Sequence, residues 1–271
     1  MKKRNTSSFS KEISNMMNKY VKTIRTELLQ RYKGWALDFS QMEKYEVIGA
    51  LMARQVSLAS NLANAPSTWN AHLAPIILRT MVDTYINLAW IFEEPIDRAR
   101  KFILYGLGRE KLMLEHYKAH LKSLGEDVEK HQLLVSIEEW INSQRFTFLT
   151  EVDVGGWAGI DTRKMAEEAN CKDIYDFAFT PFSSCTHSMW NHVCKYNLKN
   201  CSNPLHRYHR IPIVPDLAPD FDYLYRAAEY VEKTFKLFDK KTKVKVKISS
   251  AFETLNKDLS KLGKKYRKSN K

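Results

Sequence analysis

The segment from Trp69 to Phe92 does most to limit how this chain can fold. After Pro75 it is apolar on nearly every side of a helix, with Arg79 and Asp83 as its only charges. A helix apolar all round needs neighbours on every face, so this stretch is predicted to be the central helix of a bundle, with Pro75 marking a kink. Suitable neighbours flank it. Ile13, Met16, Met17, Tyr20, Val21, Ile24, Leu28 and Tyr32 recur at three- and four-residue steps and predict a first helix over residues 10–32. Ser40 and Glu43 form a capping-box pattern before a second periodic stretch that runs to about Asn61, and Pro66 closes the connection. Pro95 opens a fourth helix that Gly125 stops, and a fifth spans Glu126 to Arg145.

Further along, Val152–Asp161 (VDVGGWAGID) is the clearest internal loop and precedes a short helix around Met165. Thr180 and Pro181 start a helix predicted to reach Tyr196. Pro204, Pro212, Pro215 and Pro219 make residues 200–220 an extended connection, and helical spacing resumes over Phe221–Phe238. The alternation of Lys with Val or Ile in KKTKVKVKIS suits a short edge strand or a continuing cationic helix, and Ser250 with Glu253 caps a last helix. With only 9 Gly and 8 Pro in 271 residues, sandwiches and barrels lack their turns. The expected fold is all-α, a multi-helix bundle over residues 1–238 with a basic C-terminal appendage over 239–271.

Charge is distributed unevenly. From Lys233 onward there are 14 Lys and Arg against three acids, while residues 1–232 carry 29 basic and 28 acidic side chains. Such a terminus suits a phosphate backbone, an anionic membrane face or a protein partner, or it is a solvated tail. No segment is apolar enough to span a membrane, and the basic N-terminus has no apolar stretch behind it, so a cytoplasmic chain is expected. In that setting Cys171, Cys185, Cys194 and Cys201 read as reduced thiols.

Two polar groups interrupt the apolar pattern. Arg79 and Asp83, at i and i+4, share a face of the central helix, where each charge needs a partner. In TPFSSCTHSMWNHV, Ser184, His187 and Asn191 fall on one helical stripe, with His192 beside them. Arg207 and Arg210 flank Tyr208 in a stretch suited to stacking on bases. Cys185, His187, His192, Cys194, Cys201, His206 and His209 cluster in sequence, but the tight pairs usual for structural zinc are missing, so no metal and no cofactor are assigned. P-loop, dinucleotide-binding, nucleophile-elbow and zincin motifs are absent, which sets aside ATPase, dehydrogenase, α/β-hydrolase and zincin activities.

The blocks LRTMVDTYINLAWI, RARKFILYGLGREK and FSSCTHSMWNH, in that order and spacing, resemble the bacterial domain-of-unknown-function family 5677 over roughly residues 45–240. The resemblance implies a site of Arg79, Asp83, Tyr105, Ser184 and His187. Asp83 stands where that family more often has Glu, which shortens the reach. It further suggests the HEPN superfamily of helical bundles, many of them metal-independent ribonucleases in toxin and phage-defence systems. The Arg-x4-6-His signature of that superfamily matches at Arg109 and His116, an alternative catalytic pair, although chance alone supplies about one such match in this composition.

The expectation is therefore a HEPN-like protein that binds RNA in preference to DNA and cleaves it without a metal. Arg79 would stabilise the scissile phosphate, oriented by Asp83, and His187 would move the proton of the 2′-hydroxyl, with Tyr105 and Ser184 as supporting donors. Arg207, Arg210, Lys243, Lys245, Lys247, Lys264 and Lys265 would bind nucleic acid. The alternative is a non-catalytic interaction module whose buried Arg79, Asp83 and His187 network fixes packing while the basic tail docks a protein partner. Small-molecule sensing in the bundle interior is a third reading, and a homo-oligomer stays open.

Overall fold

The computed structural model describes residues 2–144 and 156–269. Residues 152–155 of the expected glycine loop, and Arg145 at the expected end of the fifth helix, lie outside them. The fold is all-α. Helix α1 spans Lys2–Gly34, α2 Met42–Asn64, α3 Ala74–Ile91, α4 Pro95–Ser123 and α5 Gln132–Asn142. Then come α6 (Thr162–Glu168), α7 (Lys172–Ile174), a π turn over Tyr175–Phe179, α8 (Thr180–Thr186) and α9 (Trp190–Tyr196). A small antiparallel ribbon, β1 (Leu198–Asn200) with β2 (Arg210–Pro212), precedes α10 (Phe221–Thr242) and α11 (Ala251–Ser269).

Helix α3 is central, as its composition requires. Leu78, Met81, Val82, Ile86, Leu88 and Ile91 are fully buried against α2, α10, α6 and α8. Pro75 sits in its first turn, where the missing N–H costs nothing, so it begins the helix instead of kinking it. The buried Gln55 of α2 donates from Nε2 to Met81 O at 2.9 Å and to Thr234 Oγ1 at 3.1 Å, which ties α2, α3 and α10 together. Trp69 closes the base of this core. Its Nε1 donates to Leu62 O at 2.6 Å, its carbonyl accepts from Asp220 N–H at 2.7 Å, and its ring lies 5.3 Å from Phe221.

Several expected ends move by a few residues, for local reasons. Ser40 is no helix cap. Asp38 accepts from Ser40 N–H at 3.0 Å and starts a short 3₁₀ turn, while Glu43 is buried and pairs with Arg100. Gly125, left-handed at φ 75°, stops α4 where expected. The helix expected to start at Thr180 is instead continuous with α7 through the π turn. It ends at Thr186, because Ser188 is left-handed at φ 50°, and α9 begins after that break.

The C-terminal residues are tied to the bundle. Ala251 and Leu255 of α11 belong to the same apolar cluster as α3. At the start of α11, Ser250 Oγ accepts from Glu253 N–H at 3.2 Å, and Ala251 N–H donates to the buried Glu27 carboxylate of α1 at 2.6 Å. Arg31, also buried on α1, pairs with Glu27 at 2.9 Å and Asp239 of α10 at 2.8 Å, and lies 4.2 Å over the Phe235 ring. A smaller apolar cluster of Leu114, Val128, Leu134 and Ile141 joins α4 to α5.

Candidate functional site

The face of α3 that carries Arg79 meets the π turn and α8. Arg79 pairs with Asp83 one turn along, and its Nε donates to Ser183 Oγ at 2.9 Å. Its guanidinium carbon lies 3.1 Å from the centre of the Phe179 ring, and Phe179 stacks on Tyr175 at 4.5 Å. A carboxylate, a hydroxyl and an aromatic ring thus replace much of the water this cation loses. Burial pushes the Asp83 carboxyl above its ordinary range and the Arg79 guanidinium below its own, and the ion pair opposes both shifts.

The sequence pattern marks Ser184, but the serine that meets Arg79 is Ser183. The π turn sets how α8 is rotated against α3, and spacing within α8 does not report that rotation. Ser184 faces α9, where its Oγ accepts from Asn191 Nδ2 at 2.9 Å across the helix break. His187 is exposed at the end of α8, and Tyr105 is on α4. Among the described residues none of Ser184, His187 and Tyr105 hydrogen-bonds to Arg79 or Asp83. The alternative pair, Arg109 and His116, is exposed on α4 two turns apart, about 10 Å along the axis.

A second polar group was not foreseen. His72 Nδ1 lies 3.3 Å from His192 Nε2, with the Tyr196 ring 4.9 Å from that of His192. Burial, then the neighbouring His72, lowers the His192 pKa. His72 falls inside the helix expected over Trp69–Phe92, but α3 begins only at Ala74, and the turn that precedes it aims His72 at α9.

The basic residues divide into two surfaces. At the tip of the β1–β2 loop, Arg207 is exposed and Tyr208 is 89% exposed, whereas Arg210 donates to Cys194 Sγ on α9. After α10, Lys243 takes a left-handed conformation at φ 61°, and the following residues form neither the strand nor the helix expected of them. Side chains alternate there all the same. Lys243, Lys245 and Lys247 are exposed, while Val244, Val246 and Ile248 are half-buried. Val244 packs on the core beside Gly34, where a Cβ would lie 3.2 Å from it. Among the described residues no carboxylate pairs with Lys243, Lys245 or Lys247, nor with Lys33 in the last turn of α1. Lys265 pairs with Glu12 of α1, and Lys264 lines an apolar groove of about 630 Å³ beside Phe9, Phe221 and Leu262.

No helix among the described residues is long and apolar enough to cross a membrane. No curated protein and no solved structure matches the chain. A family model does match, over residues 45–203, more than half of the chain: it belongs to the family of unknown function DUF5677. The match includes Arg79, Asp83, Tyr105, Ser184 and His187, and ends before Arg207 and the lysine strip.

Proposed function

From that membership, which brings no chemistry with it, we propose that the protein binds RNA through the phosphate backbone along Lys243, Lys245 and Lys247, and that the Arg79 group holds helices together without cutting the bound strand. One observation carries this. Three cations are presented side by side on a segment anchored by Val244, and among the described residues no acid pairs with them. Such a row condenses a polyanion and gains the entropy of the counterions released from it. Arg207 and Tyr208, exposed on the loop tip, offer a flat cation and a ring to an unpaired base, which favours RNA over a DNA duplex.

A HEPN-like kinship, a bacterial origin and a toxin or phage-defence setting belong to the same proposal and rest on the three sequence blocks and the helical architecture. Cleavage at Arg79 is left out of it, because Arg79 is engaged by Asp83, Ser183 and Phe179 of its own chain and neither His187 nor Tyr105 hydrogen-bonds to this pair among the described residues. Anisotropy of a labelled single-stranded RNA at low salt tests the proposal, with a denaturing gel read in parallel. Wild type binds and leaves the strand intact, and replacing all three lysines by Gln weakens binding at least about tenfold. Absence of binding by wild type overturns it. So does cleavage by wild type that disappears in a folded Arg79→Ala variant.

A further inference from the structure

The loop between β1 and β2 closes on itself in a way that the nucleic-acid proposal does not use. Cys201 N–H donates to His209 O at 3.0 Å, which extends the ribbon by one rung and sets the first and last loop residues opposite each other. Inside it, His206 N–H donates to Asn203 O and His209 N–H to His206 O, both at 3.0 Å, so two successive turns fold the chain back toward Cys201. Three soft or borderline donors converge as a result. The Cys201 thiol and one ring nitrogen each of His206 and His209 all lie within 4.8 Å of one another, and Cys201 Sγ is 3.8 Å from His206 Nδ1.

We infer that Cys201, His206 and His209 hold a zinc-class divalent ion, with the fourth position open to water. A tetrahedral zinc with bonds of about 2.3 Å to sulfur and about 2.0 Å to nitrogen sets these ligand atoms about 3.3–3.5 Å apart, so side-chain rotations that draw the three donors together complete the site. The Cys201 sulfur has a backbone donor beside it. Asn203 N–H points to Cys201 Sγ at 3.5 Å, which eases the charge of a thiolate. Asn203 Nδ2 lies 3.2 Å from the other ring nitrogen of His206, Nε2, a contact that is given up when Nδ1 takes the ion and Nε2 carries the ring proton. Arg210, a cation that would repel the ion, is engaged with Cys194. On binding, the thiol proton passes to solvent and the sulfur coordinates as thiolate.

Sequence spacing sets zinc aside because the ligands form no C-x2-C or H-x3-H pair. The ribbon supplies the closure that such pairs usually provide. The ion would lock the loop whose tip exposes Leu205, Arg207 and Tyr208.

Cobalt(II) titration of the reduced full-length protein tests the site. One ion per chain is expected, with tetrahedral visible bands and a thiolate charge-transfer band in the near ultraviolet. Cys201→Ser abolishes the charge-transfer band, His209→Ala weakens binding at least tenfold, and Cys194→Ser leaves both unchanged, with circular dichroism reporting that each variant is folded. Absence of binding by wild type, bands that survive Cys201→Ser, or bands lost in Cys194→Ser overturn the assignment.

Discussion

Arg79 and the lysines after α10 are both cations on an otherwise apolar framework, yet they use their charge in opposite directions. Arg79 is turned inward. Its side chain is 12% exposed, and a carboxylate, a hydroxyl and a ring of its own chain surround it. Lys243, Lys245 and Lys247 are turned outward with no internal partner among the described residues. Arg31 explains the inward case, because it repeats the arrangement elsewhere: an acid four residues away on the same helix and a phenylalanine ring beneath the guanidinium. Two such groups in one bundle point to a packing device that joins helices. On the proposed reading, an arginine beside an acid in an apolar helix serves packing, and the unpaired lysines carry the binding.

The comparison sharpens or breaks with variants on each side. Arg31→Ala has the largest expected effect. It leaves the buried Glu27 and the partly exposed Asp239 without their cation and detaches α1 from α10, a loss of about 3–5 kcal/mol by chemical denaturation. Arg79→Ala costs less, about 2 kcal/mol, because the Asp83 side chain is 40% exposed and water takes over its solvation. Equal losses for the two variants would erase the distinction between a core pair and a boundary pair.

The smallest effect is a pH dependence. The folded-state pKa of Asp83 is raised by burial, so the folded chain binds more proton than the unfolded chain just above the ordinary carboxylate range. Its contribution is present below the unfolded pKa and is lost as pH rises through the folded one. The melting temperature of wild type minus that of Asp83→Asn should therefore fall as pH rises through that window. A difference that grows with pH would mean that the ion pair, and not burial, dominates.

Periodicity made the architecture legible, and local geometry hid the details of the site. The central place of α3 follows from its all-round apolar surface, and the Ser250 and Glu253 cap of α11 from residue type and spacing. Ser183 and Phe179 were hidden because the π turn decides which side of α8 meets α3, and spacing within α8 carries no trace of it. The apolar spacing that predicts α1 carries no mark of the Arg31 group. Glu27 and Arg31 stand at the same i,i+4 spacing as Arg79 and Asp83, among Ile24 and Leu28, and that pairing was the available signal. The contact of Val244 with Gly34 joins residues far apart in the chain, which no local pattern reports.

The salt dependence of RNA binding tests the outward-facing lysines most directly. Each phosphate neutralised on a single strand adds about 0.7 to the slope of log affinity against log salt, so converting Lys243, Lys245 and Lys247 together to Gln should reduce that slope by about 2, with the melting temperature unchanged. A slope that is the same in wild type and in the folded triple variant, or wild-type binding that ignores salt, would contradict the assignment of these lysines to a phosphate backbone.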